Sequence, residues 1–232
     1  MTNLFSHFNS HALWLLLPAS LLAVYLIDQP FSQLLVTKTV SLRGLSTEQK
    51  LNIESAAQRL DHVVIAPDHE FSFNGTVGPR SVKRGYLPAP SYVGPDSPDT
   101  IGGGICLISS ALYQDALRTG LKITQRIPHL RVTQSTPPGL DATVWYNGPD
   151  LRFINSLSCP VEITTNYEPS EVTVELRGNI HEKDWQLAQL SRCERRDLLN
   201  RISVLVFAKQ YGKTQLVSQD MYGIPNTGVR NR

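Results

Sequence analysis

Residues 101–120 read IGGGICLISSALYQDALRTG, and the rest of the chain is read outward from them. Ile105, Ile108, Leu112 and Ala116 recur at helical spacing, and Gly120 fits the left-handed residue that ends a helix. A helix starting near Cys106, preceded by three glycines, is thus predicted. Glycines permit a tight turn and a close backbone approach. The first N–H groups of a helix favour negative charge beside them. Ser109, Ser110 and Tyr113 follow Cys106 by three, four and seven positions and share its face.

Upstream, STEQ at 46–49 has the form of a capping box, and Ile53, Ala56, Ala57 and Leu60 continue it as a second helix. LLVTKTVSL from residue 34 alternates as a strand within a link, and VVIAP is a short strand stopped by Pro67. FSFNGTVGPR at 71–80 reads as strand then turn. The proline-dense stretch 87–99 reads as a loop leading into the glycines.

Downstream, LKITQRI at 121–127 reads as a strand, with PHLRV as its exit or the next strand. Asn147-Gly148 signals a hairpin between ATVWY and PDLRF. VEITTNY and EVTVELRG form a second hairpin and SVLVFAKQYGKTQLVS a third, while 181–200 is open between helix and strand. Early helices and late antiparallel strands define an α+β class, with two main helices on a mostly antiparallel sheet and C-terminal hairpins.

The chain has 232 residues, 41% hydrophobic and 18% charged, enough to build a core. A formal net charge of +2 gives no reason to expect a nucleic-acid partner. Cysteines at 106, 159 and 193 are too scattered for a disulfide framework or a CxxC metal site, although one pair can form. The six histidines show no ligand spacing, so no metal or other cofactor is expected.

Residues 12–27, ALWLLLPASLLAVYLI, form an uncharged apolar run of 16 residues ending at Asp28. No small-x-small cleavage site follows, and Trp14 and Tyr25 suit a membrane interface, so an uncleaved signal anchor is expected over 1–28. A link over 29–43 and a domain over 44–232 complete the expected organisation. Lys38, Arg43 and Lys50 follow the run and none precedes it, which by flanking charge places the domain in the cytoplasm.

NIESAAQRL, FSFNGTVGPR, RGY at 84–86, GGGICLISSALYQDAL, PHLR at 128–131, PPGLDATV and DLRFINS stand in an order that resembles the VanW-like family, over a core of about 52–178. Leu107 stands where the family usually has Gln, and Pro67-Asp68 where it often has Pro-Gly. The resemblance implies a bacterial envelope protein, often held by an N-terminal anchor and linked to peptidoglycan or glycopeptide response. It outweighs the flanking charges and moves the expected domain outside the cytoplasmic membrane.

Two functions remain open. In the first, Cys106 is a nucleophile, His129 its base and Asp141 the orienting acid, with helix-start N–H groups as oxyanion donors and thiol-based acyl transfer or amide hydrolysis as the reaction. That order of residues is similar to transglutaminase-like thiol enzymes. In the second, Gly102, Gly103, Gly104 and the helix start bind a peptidoglycan peptide carboxylate without chemistry. Arg80, Arg131 and Arg152 would be the cationic partners, and Tyr86 and Tyr92 would line the pocket with Ser109 and Tyr113. Each of these residues also has a plain structural reading, as core or surface.

Overall fold

The computed structural model describes residues 29–91, 99–181, 183 and 185–224. The signal anchor expected over residues 12–27 and Tyr92 lie outside them, and no described helix is long and apolar enough to cross a membrane.

Two fourteen-residue helices define the interior. Helix α1, Thr47–Leu60, begins with the expected capping box: Gln49 N–H donates to Ser46 Oγ at 3.2 Å, and Ser46 N–H to Gln49 Oε1 at 3.0 Å. Such a cap contributes about 1 kcal/mol. Helix α3, Cys106–Thr119, is buried along almost its whole length and ends at Gly120, where φ is 84°. A short helix α2, Phe73–Val77, lies between them.

Strands β1 (Gln33–Ser41), β2 (Val63–Ile65), β8 (Val161–Glu168) and β9 (Glu171–Gly178) make a four-stranded antiparallel sheet ordered β1-β9-β8-β2. Helix α1 packs on β8, and α3 packs on β1 and β9. Period-two alternation turns Val172, Val174 and Leu176 of β9 fully inward. Each large aliphatic side chain so buried contributes about 1.5–3 kcal/mol. The segment 29–43, expected as a link, thus carries a sheet strand with Leu35, Val36 and Leu42 in the core.

Three smaller sheets surround this core. Strands β3 (Glu70–Ser72), β7 (Arg152–Ile154) and β6 (Lys122–Gln125) form one, with Phe71 and Phe153 stacked at 4.8 Å. Strands β4 (Pro88–Ala89) and β5 (Thr100–Ile101) pair across the proline-dense loop. Strands β10 (Gln189–Arg196), β11 (Arg201–Gln210) and β12 (Lys213–Gly223) form the C-terminal sheet, which settles 189–196 of the ambiguous stretch as strand.

Two local expectations are corrected and an open reading, PHLRV as strand exit or next strand, is settled as the exit. Residues 73–77 are helical rather than a turn, because Ser72 Oγ accepts from Gly75 N–H and Asp150 accepts Asn74 N–H at 2.8 Å. The hairpin expected at Asn147-Gly148 has a turn but no ladder over 142–145. That segment is tied instead to Ser110, Ile127 and Cys106. PHLRV forms no strand, contributing only a bridge between Arg131 and Gly223.

Candidate functional site: a thiol, an imidazole and a carboxylate

The glycine run serves backbone packing first. A Cβ on Gly103 would lie 2.3 Å from Ala89 O, so only glycine lets this loop meet the end of β4. Gly102 and Gly104 have φ of 85° and 98°, and Gly104 rests on Gln49 of α1. Buried Asn52 fastens the contact: its Nδ2 donates to Leu87 O and Gly103 O, and its Oδ1 accepts Leu87 N–H. Gln49 Nε2 adds a bond to Pro90 O. The loop thereby fixes Cys106 as the first residue of α3.

The Cys106 thiol lies against Val144, accepting its N–H at 3.5 Å and facing its carbonyl at 3.7 Å. From the far side of the same segment come His129 and Asp141. Asp141 Oδ2 accepts both His129 Nδ1–H and His129 N–H at 2.6 Å. Asp141 Oδ1 accepts Tyr222 O–H at 2.6 Å and Arg126 Nη2–H at 2.9 Å. Arg126 is further held by Asp141 O through Nε and by Asp220 Oδ2 through Nη1, while its guanidinium lies 5.0 Å over the Tyr113 ring.

These contacts set the protonation states. Burial opposes a charge on His129, but its hydrogen bond to Asp141, a hydrogen bond with Cys106 and the charges of both push it up to about 9. With Nδ1 given to Asp141, Nε2 is the ring nitrogen not committed to that carboxylate. Burial also opposes the Asp141 charge, yet its bonds from His129, Tyr222 and Arg126 hold it below the ordinary carboxylate value. An imidazolium between the Asp141 carboxylate and the Cys106 sulfur is thus the favoured state at neutral pH.

A cavity of about 800 Å³ opens onto Cys106 and His129. Arg80, Arg131 and residues 102–104 line it, as does an apolar rim including Ile101, Leu130 and Trp145; among the described residues no Asp or Glu does. Leu130 is 88% exposed and Trp145 55%, so the rim presents apolar surface to solvent. The described structure brings Cys106, His129, Asp141, Gly102, Gly103, Gly104, Arg80 and Arg131 to one place.

Other expected site residues lie elsewhere. Tyr86 and Tyr113 are core side chains, and Ser109 is buried with its hydroxyl donating to Ala142 O at 2.7 Å, because α3 turns this face into the interior. Arg152 is engaged by Glu70 and Asp150 in β7, away from this cavity. Among the helix-start donors, Leu107, Ile108 and Ser109 N–H are already bonded to Gly104 and Ile105 carbonyls. Gly104 and Cys106 N–H make no backbone bond among the described residues. All three cysteines are free thiols, and no metal-binding cluster occurs among the described residues.

Arg126, Tyr222, Asp220 and Asn52 were not anticipated as site residues. None lies in a motif that announces its role; each acts through partners far away in the chain.

An α+β domain whose second main helix, preceded by a glycine run, starts with a cysteine that shares a cavity with the histidine of a histidine–aspartate pair defines the class. The chain belongs to the family described as VanW like protein, whose model matches residues 48–177. It is 44% identical over 112 residues to the uncharacterised protein YoaR of Bacillus subtilis, covering 48% of this chain and 37% of that one. It is 28% identical over 127 residues to the vancomycin B-type resistance protein VanW of Enterococcus faecalis, covering 52% and 46%. The chain therefore spans less than half the length of either relative. No solved structure matches it.

Proposed function

We propose that this protein is a cysteine-dependent acyl-transfer enzyme of the bacterial envelope, acting on a peptidoglycan precursor or stem peptide. The observation that carries the reading is the His129 ring held by Asp141, with His129 and Cys106 lining one cavity. The Cys106 thiolate, whose proton rests on His129, attacks the substrate carbonyl carbon and forms a thioester as the C–N bond breaks. The leaving amine takes the proton that His129 holds on Nε2. Water or an acceptor amine then attacks the thioester, passing its own proton to His129 and releasing the thiolate. The Cys106 N–H, which makes no backbone bond among the described residues, is the donor proposed for the oxyanion in such a step.

The link to glycopeptide response comes from the name of the Enterococcus relative, and an acidic stem peptide suits a cavity that Arg80 and Arg131 line. That same lining favours the second reading, a module that binds a peptide carboxylate without chemistry. We place the domain outside the cytoplasmic membrane, anchored by residues 12–27. A reporter fused after Arg232 is expected to be active only outside, and activity confined to the cytoplasm overturns that placement.

Incubation with a synthetic stem pentapeptide, read by intact mass, separates the two readings. An acyl adduct on Cys106 is expected, absent in Cys106→Ser and formed about 100-fold more slowly in His129→Asn. Binding without an adduct, undiminished in Cys106→Ser, would leave the non-catalytic module.

A further inference from the structure

The family match ends at residue 177, yet the acid that orients His129 is gripped from beyond it. Tyr222, near the end of β12, is 1% exposed, and its hydroxyl uses its full capacity. It donates to Asp141 Oδ1 at 2.6 Å and accepts Gly139 N–H at 2.7 Å and Arg126 Nη2–H at 3.0 Å. Two positions earlier, Asp220 takes Arg126 Nη1 and so braces the cation on its other side. One position later, Gly223 clamps the His129 loop, donating to Leu130 O at 2.9 Å and accepting Val132 N–H at 3.1 Å.

Packing supports the same direction. The small core of the C-terminal sheet, Val204, Val206 and Tyr222, is completed by Val132 and Leu140 from the two loops that carry His129 and Asp141. Gly139, at φ 87°, has no room for a side chain: a Cβ there would lie 2.5 Å from Val206 Cγ2. The loop before Asp141 is thus seated directly on β11 and β12. A sheet that was only an appendage would need none of these polar contacts.

We propose that the C-terminal sheet β10–β12 is the positioning element of the thiol site, with Tyr222 the positioning residue that sets Asp141 and, through it, His129 against Cys106. This rests on the thiol reading above. Loss of the Tyr222 hydroxyl deprives Asp141 of one donor and leaves Gly139 N–H and Arg126 one acceptor short, so the carboxylate can swing away from His129. Outer partners of this kind typically alter the chemistry of the histidine they orient by about 10–100-fold.

The test is the pH dependence of iodoacetamide alkylation at Cys106, with exposed Cys193 in the same chain as the ordinary-thiol reference. Wild-type Cys106 is expected to react well below the pH that Cys193 requires. Tyr222→Phe is expected to slow Cys106 about tenfold at pH 6.5 and move its profile toward that of Cys193. Leu190→Ala, which weakens the same sheet at β10 where it packs on the main core and not on Tyr222, should lower the melting temperature and leave the profile in place. Asp220→Asn, with Tyr222 intact, should slow Cys106 by about threefold and serves if Tyr222→Phe fails to fold. An unchanged profile in Tyr222→Phe, or equal slowing by Leu190→Ala, overturns the positioning role alone. A wild-type Cys106 that merely tracks Cys193 overturns the thiol reading as well.

Discussion

Asp141 and Asp115 are both fully interior carboxylates, 1% and 0% exposed, and the protein treats them in opposite ways. Asp141 receives hydrogen bonds from His129 twice, from Tyr222 and from Arg126. It is held below the ordinary carboxylate value despite its burial. Asp115, midway along α3 where the helix packs on β1 and β9, has no hydrogen-bond partner for either side-chain oxygen among the described residues. Burial pushes it up to about 8, against the pull of Arg118 and Lys38. Depth alone therefore says little about the charge of a buried acid; partners decide it. One acid is kept ionised beside a histidine and a thiol, and the other is stored as a neutral acid in the core.

Replacing each by its amide sharpens this contrast. Asp141→Asn strips the charge that His129 and Arg126 were arranged to meet and is expected to cost about 3 kcal/mol, a fall of about 10 °C in melting temperature at pH 7. Asp115→Asn should do the reverse, and its effect depends on pH. The folded value of Asp115 lies above the ordinary carboxylate value of 3.8, so the folded state holds its proton longer. The wild-type chain therefore loses stability as pH rises from about 4 to about 8, and no more beyond. Asp115→Asn removes that loss: melting temperatures should converge near pH 4 and favour the variant by several degrees at pH 8. A variant no more stable than wild type at pH 8 would break the comparison.

Much of the framework was legible in short-range pattern. Ser46 and Gln49 stand three apart and cap α1; the apolar stripe and Gly120 bound α3; alternation in 161–178 makes β8 and β9. The grouping of Cys106, His129 and Asp141 was readable because chain order and element type suggested it. The supports were not. Tyr222 stands 81 positions from Asp141, and Asp220 stands 94 from Arg126, so no local spacing links them. The hairpin expected at 142–153 failed for a related reason. Ser110, Cys106 and Ile127 bind residues 142–144, which a strand ladder would otherwise have held. Likewise the glycines at 102–104 suggested a ligand-facing loop, whereas Gly103 is required by the carbonyls of Ala89 and Pro90 behind it.

The central claim is that His129 is a cation at neutral pH, held between Asp141 and Cys106. An NMR titration of its imidazole in the wild type and in Asp141→Asn tests this most directly. The account predicts a midpoint near 9 in the wild type and a fall toward the ordinary value of 6.5 when the carboxylate is removed. A wild-type midpoint at or below 6.5, indifferent to Asp141, would contradict it.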